Sequence, residues 1–181
     1  MASFQNGDEE AFNQIVARFK DPLVNFVYRF LGNYDDCVDV VQETFVRVFR
    51  KRDRYQPIAK FSTWIYTIAG NLAKTELRRR SIRNWVSLSQ LRAVPGQDID
   101  IPDDRYSPEK GAESALKEEI IQKALLAIPR KYREVVVLRD IQELSYEEIS
   151  KITGLSLGTV KSRINRGRTQ LQVLLKDIYN V

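Results

Sequence analysis

Apolar residues recur along this chain at helical spacing, in two blocks separated by a stretch where the pattern stops. Phe12, Ile15, Val16 and Phe19 fall at i, i+3, i+4 and i+7, one face of a helix. Pro22 suits the first turn of a second helix, and Leu23, Phe26, Val27 and Phe30 repeat the spacing until Gly32. A third helix is expected from about Asp35 with Val38, Val41, Phe45 and Val48 inward. A fourth is expected from near Ser62 with Ile65, Ile68, Ala69 and Leu72 inward. No segment alternates with the period of a strand over a useful length, so residues 1–85 are expected to form a helical bundle.

Residues 86–112 carry Pro95-Gly96, Pro102 and Pro108 among acidic and polar residues, the composition of a flexible linker. The stretch is longer than ordinary connections inside a compact domain. Helical patterning resumes over residues 113–181. Leu116, Ile120, Ile121, Ala124 and Leu125 fit one helix that Pro129 ends. Val135, Val136, Val137, Leu138 and Ile141 supply the next. Four apolar residues in a row are also compatible with a buried strand, but the surrounding pattern favours a helix. The fold class expected is all-α: two small helical domains joined by a flexible acidic linker.

The second block carries a helix-turn-helix. In Ser145-Tyr-Glu-Glu148 the serine hydroxyl can accept an amide while Glu148 reaches back, the pattern of a capping box. Leu144 and Ile149 stand where a hydrophobic staple would, and Gly154 is placed to end the helix in a left-handed conformation. One residue later the scheme repeats with Leu155, Ser156 and Val160. Two short capped helices around a glycine turn describe the motif. In the second helix Val160, Ile164, Gly167, Leu171, Leu174 and Ile178 form the inward stripe. The opposite side presents Gly158, Ser162, Asn165, Arg166 and Thr169, with Lys161 on one flank and Arg163 nearer the buried side. Short polar and cationic groups so arranged can reach base edges and phosphates. Arg163 is expected in a phosphate or structural role.

Charge supports that reading by its distribution. The net charge of +5 is a weak pointer alone. Lys161, Arg163, Arg166 and Arg168 cluster without an acid, and Lys74, Arg78, Arg79, Arg80 and Arg83 cluster around Glu76. Gln97–Glu119, in contrast, is acidic. Cys37 is the only cysteine, and histidine is absent, which excludes an intrachain disulfide, histidine acid–base chemistry and histidine-ligated zinc. No cofactor is expected. No apolar run is long enough to span a membrane and no signal-peptide pattern opens the chain, so a cytoplasmic protein without membrane insertion is expected.

Several of these segments resemble one family. Ile128-Pro-Arg-Lys-Tyr-Arg-Glu-Val, Leu138-Arg139, Leu144-Ser-Tyr-Glu-Glu-Ile149, Gly158-Thr-Val-Lys-Ser-Arg-Ile164 and Arg166-Gly-Arg168 are similar to region four of the extracytoplasmic-function sigma factors. The resemblance implies a domain that reads the minus-thirty-five promoter element. Its contacts would be Arg139, Gly158, Thr159, Lys161, Ser162, Arg163, Asn165 and Arg166. Gly7-Asp-Glu-Glu-Ala-Phe12 resembles the opening of the family's region two. Asp39-Val-Val-Gln-Glu43, followed by Thr44-Phe45, resembles its contact with the β′ clamp helices of RNA polymerase. Asp39, Gln42, Glu43 and Arg47 would bind the core enzyme there.

Phe61-Ser-Thr-Trp-Ile-Tyr-Thr-Ile-Ala-Gly-Asn71 and Lys74–Arg80 resemble the part that captures the melted minus-ten element. Trp64, Thr67, Asn71, Lys74 and Arg78 would face single-stranded DNA, with Asn71 lining the pocket for a flipped base. Trp64 is equally compatible with packing. The implied function is an alternative sigma factor, not an enzyme. Its implied partners are core RNA polymerase (β′ clamp helices and β flap), duplex and single-stranded promoter DNA, and an anti-sigma factor. The resemblance implies a linker that threads through the polymerase, and its acidic composition suggests that it would occupy a basic nucleic-acid path there by mimicking charge.

Three features depart from the family's pattern. The leading helix is expected to be short or missing, Glu143 replaces a frequent glycine, and Asn165 replaces a frequent aromatic. Two other functions compete. A helix-turn-helix repressor or activator would explain the second block alone. A metal-dependent nuclease would use Asp35, Asp36, Asp39 and Glu43, although these lie along a helix with no base or nucleophile nearby.

Overall fold

The computed structural model describes the backbone of residues 1–91 and 112–179, with side chains described except at 84, 86–91, 112–114 and 177–179. The expected linker falls largely outside these residues. Every regular element described is helical: α1 (Ala2–Gln5), α2 (Glu9–Leu31), α3 (Tyr34–Arg50), α4 (Phe61–Leu91), α5 (Ala112–Ala127), α6 (Arg130–Val136), α7 (Tyr146–Thr153) and α8 (Leu157–Tyr179). A 3-10 turn at Arg52–Arg54 follows α3, and a π-helical turn, Val137–Ile141, extends α6.

Helix α2 starts where Asp8 accepts the Ala11 amide at 3.1 Å and stops at Gly32, whose φ of 76° is left-handed. It is one helix where two were expected, because Pro22 lies inside it. A proline forfeits one i→i−4 bond, and burial of Ile15 before it and of Leu23, Phe26, Val27 and Phe30 after it holds the helix continuous. In α3 the buried stripe is Cys37, Val40, Val41, Thr44 and Val48. Val38 and Phe45, expected inward, are only half-buried. The face is rotated because Thr44 can be buried: its hydroxyl donates to the Val40 carbonyl at 2.7 Å. Phe45 instead meets Phe12 edge-on at 6.5 Å, and Phe12 stacks on the buried Phe4 of α1 at 4.9 Å.

Helix α4 buries Ile65, Tyr66, Ala69, Ala73 and Leu77. Ile68 and Leu72 are half-buried, and the helix continues through 86–91, where the apolar pattern had failed. In α5 Leu116 is 57 % exposed against expectation, and the helix buries Gln122, Ala124 and Leu125 instead. All four residues Val135–Leu138 are buried in a helical segment that packs on both α2 and α8. A helix covered on opposite sides needs no polar face.

The two blocks share one core. Phe26, Phe30 and Leu31 belong to the same apolar cluster as Leu125, Val135, Leu138, Ile149 and Ile164. Polar bonds, buried or partly buried, cross between the blocks. The Arg133 guanidinium, 3 % exposed, donates to the Phe30 carbonyl of α2 at 2.8 Å and to the Leu126 carbonyl of α5 at 2.5 Å. A cation at two helix C-termini meets the negative ends of both dipoles. Gln122 donates to the Tyr28 carbonyl at 3.2 Å and accepts from Arg29 at 3.4 Å. Gln142 accepts from the Tyr66 hydroxyl at 2.5 Å and reaches Asn25 at 3.3 Å.

Candidate nucleic-acid interface

The capping box of α7 is formed: Ser145 Oγ accepts the Glu148 amide at 3.1 Å, and Glu148 accepts the Ser145 amide at 2.9 Å. The Ser145 amide and the Lys60 ammonium hold the Glu148 carboxyl below its ordinary range. Gly154 takes the left-handed conformation, φ 72°, that turns the chain into α8. There Ser156 accepts the Thr159 amide at 3.3 Å. Glu143 also has a positive φ, 55°, the conformation glycine favours.

Along α8, Gly158, Lys161, Ser162, Asn165 and Arg166 are exposed, while Thr159 and Arg163 are half-buried. Val160, Ile164 and Gly167 lie on the buried side. A Cβ at Gly167 would meet Val136 at 2.6 Å, so this glycine lets α8 approach α6. Gly158 would meet nothing within 4 Å, so its bareness serves no packing inside the molecule. Arg139 joins this face from the π-helical turn. It donates to the Leu144 carbonyl at 2.9 Å and lies 5.1 Å from the Tyr146 ring. Lys161 approaches the same ring at 5.9 Å. Tyr146 thus gathers two cations from separate elements by their attraction to its π face. Sequence reading missed this tyrosine, since its role depends on partners far apart in sequence. Arg166 donates to the Tyr132 hydroxyl and holds that phenol below its ordinary range.

On α4, Trp64 is half-buried and stands 5.3 Å from Tyr55 and 5.8 Å from Phe61, ring to ring. It packs and remains partly accessible at once. Beside it and Thr67 lies a cavity of about 330 Å³, walled by Arg54, Tyr55, Gln56 and Ile58, with Lys151 of α7 at its edge. The Tyr55 hydroxyl donates to the Ala59 carbonyl at 3.0 Å and shapes that wall. The wall residues escaped sequence reading because they lie in a loop without periodicity. Asn71 is exposed and does not line this cavity. Arg78 is exposed, whereas Lys74 forms an ion pair with the buried Glu134 of α6 at 2.8 Å. Lys74 and Arg78 also line a cleft of about 480 Å³ with Arg130, Lys131 and Arg163.

The outer face of α3 presents Asp39 and Gln42, both exposed, and Glu43, which accepts from Arg47 at 2.8 Å. That bond holds the Glu43 carboxyl below its ordinary range. Val46 and Phe49, 39 % and 38 % exposed, add apolar surface to this side, a feature missed because both lie off the buried stripe. Asp36 is engaged by Arg80. Among the described residues no group of three acids or cysteines is placed to hold a metal ion, and no helix is long and apolar enough to cross a membrane.

Sigma-70 region 2 matches residues 15–82, and sigma-70 region 4 matches residues 118–171. The bundle and the helix-turn-helix are thus the two sigma-70 modules. The ECF RNA polymerase sigma factor SigW of Bacillus subtilis is 37 % identical over 176 residues, covering 96 % of this chain and 94 % of SigW. SigE of Mycolicibacterium smegmatis is 38 % identical over 169 residues, covering 92 % of this chain and 63 % of SigE. Among solved structures, the Bartonella quintana sigma factor RpoE in complex with the anti-sigma factor NepR gives a TM-score of 0.72 at 26 % identity, covering 92 % of this chain and 98 % of that one. CnrH in complex with the cytosolic domain of CnrY gives 0.70 at 27 % identity, covering 97 % and 94 %. The chain belongs to the extracytoplasmic-function family of RNA polymerase sigma factors.

Proposed function

We propose that residues 1–85 bind core polymerase and the melted minus-ten element, and that residues 113–181 read the minus-thirty-five element, with 86–112 as the linker. The observation that carries this division of labour is that two exposed faces of different chemistry lie on different blocks. The α8 face offers Lys161, Ser162, Asn165 and Arg166 at helical spacing, with Gly158 leaving room at its start, as a duplex reader requires. The α4 side offers an aromatic, a cavity and cations, as a single-strand reader requires.

In this reading Arg139, Lys161, Ser162, Asn165 and Arg166 contact the major groove and its phosphates. Thr159 and Gly158 let the helix end approach, and Arg163 stays within the fold. The cavity beside Trp64 and Thr67 takes the flipped base, with Asn71, Lys74 and Arg78 along the strand. Asp39, Gln42, Glu43 and Arg47 dock on the β′ clamp helices, and the second block meets the β flap. The chain acts in the cytoplasm without chemistry of its own. An anti-sigma factor regulates it, a reading supported by the complexes with NepR and CnrY in which its structural neighbours were solved.

Run-off transcription with purified core polymerase on a genomic promoter pool tests the function. Transcripts sharing two upstream elements are expected. Binding to DNA with no affinity for core polymerase would instead favour a repressor or activator.

A further inference from the structure

Helix α1 lies ahead of residues 15–82, the stretch that sigma-70 region 2 matches, and the functional reading above gives it no role. Its side chains nevertheless reach the loop that walls the cavity beside Trp64. Gln5 is half-buried, and its side-chain nitrogen donates to the Arg52 carbonyl at 2.8 Å and to the Tyr55 carbonyl at 3.0 Å. A primary amide has two hydrogens, so both are spent on this one turn. The Tyr55 amide donates to the same Arg52 carbonyl at 3.2 Å, closing the 3-10 turn that Gln5 braces from outside. Phe4, 2 % exposed, anchors the brace against Phe12 at 4.9 Å and Phe49 at 5.6 Å. The Arg52 guanidinium lies over the Phe4 and Phe49 rings at 5.7 Å and 5.0 Å.

Turn and cavity are one piece of chain. The Tyr55 hydroxyl donates to the Ala59 carbonyl at 3.0 Å, and its ring stands 5.7 Å from Phe61 and 5.3 Å from Trp64. Arg54, Tyr55, Gln56 and Ile58 then line the cavity with Trp64 and Thr67 of α4. No residue from 51 to 60 is buried, and only Arg52, Tyr55 and Ala59 are half-buried. Apolar packing alone therefore leaves this loop weakly fixed. The Gln5 amide takes hold of two of those three residues.

We propose that Gln5 is a positioning residue for base capture: from α1 it fixes the turn Arg52–Tyr55, and through it the cavity wall that discriminates the flipped base. The inference rests on the proposed function, which assigns that cavity to the melted minus-ten element, and deepens it. Gln5 does not line the cavity, so its effect passes through the loop. A site discriminates between ligands only while its walls are held in place by the residues behind them. Methionine matches glutamine in length and carries no donor, so Gln5→Met removes both bonds and keeps the packing. Lysine carries donors at similar reach, so Gln5→Lys supplies them again. Its added charge attracts the phosphates of every sequence alike and leaves discrimination between bases unaltered.

The test is run-off transcription by the holoenzyme from two promoter libraries, one randomised in the minus-ten element and one in the minus-thirty-five element. Hydrogen exchange of the free chain accompanies it. For the wild type, one base is expected to be enriched about tenfold or more at the captured position. Gln5→Met should lower that enrichment about fivefold and leave the minus-thirty-five preferences unchanged. In the free chain it should speed exchange of the Arg54 and Tyr55 amides about tenfold. Gln5→Lys should restore the enrichment. Unchanged discrimination in Gln5→Met, or an equal loss at both elements as general loosening would give, overturns the proposal. So does a Gln5→Lys variant that recovers nothing. A wild type that yields no specific transcripts, with exchange still quickened in Gln5→Met, overturns the sigma reading and leaves the brace standing. Unchanged exchange overturns the brace itself.

Discussion

Two glutamates sit where their own chemistry works against the fold, and each makes a stability prediction. Glu143 holds φ at 55°, a conformation that costs a side-chain-bearing residue about 1–2 kcal/mol. Glycine relieves that strain but loses more entropy on folding, about 0.5–1 kcal/mol. Glu143→Gly should therefore raise the melting temperature by roughly 1–4 °C in a chain of this size. Glu134 is the second case. Burial pushes its carboxyl above the ordinary range, and attraction to Lys74 and Arg163 recovers only part of the cost. A raised folded pKa means that the favourable contribution is complete at acid pH and is lost as pH rises through the raised value. Glu134→Gln should melt a few degrees above wild type at neutral pH, with the gap closing toward pH 4. Thermal melts at a series of pH values decide it, and a gap that widens on acidification would contradict the assignment.

At the level of elements, α8 makes a paired prediction through its two helical glycines. A Cβ at Gly167 would meet Val136 at 2.6 Å, so Gly167→Ala forces α8 and α6 to shift apart and should cost about 1–3 kcal/mol. Gly158 faces open space, so Gly158→Ala should leave the chain as stable or slightly more so. If α8 lies against duplex DNA, Gly158→Ala should still weaken binding to the minus-thirty-five element. Denaturant titration and duplex anisotropy on the two variants separate packing from contact. The α7–α8 unit could be read from sequence because its signals are local: a serine cap, a glutamate three residues on and a glycine at the turn. What escaped was set by contacts across the chain. Pro22 reads as a helix start, yet burial on both sides carries α2 through it. Thr44 reads as polar, yet a bond to Val40 lets it enter the core and rotate α3. The cavity beside Trp64 draws on a loop, a helix and Lys151 of another block, and no spacing encodes that meeting.

The molecule as a whole joins two modules that recognise different forms of DNA through one continuous core. Arg133, Gln122 and Gln142 make cross-block bonds in or beside that core. Those bonds make unfolding of one block costly to the other. Each such bond is worth about 0.5–1.5 kcal/mol net once water competes for its partners, so together with the shared apolar contacts the bonds resist separation of the blocks. The wild-type chain should therefore unfold in a single calorimetric transition. Gln122→Ala/Gln142→Ala removes bonds that run only between blocks, leaving the apolar centre of each in place. Its heat-capacity trace should split into two transitions, the lower one lying below the wild-type midpoint. One unsplit peak at the wild-type temperature would show that the cross-block bonds contribute little, and that the apolar contacts of Leu126 and its neighbours hold the blocks together. The split trace would show that two cross-block amides, Gln122 and Gln142, couple the folding of one block to that of the other.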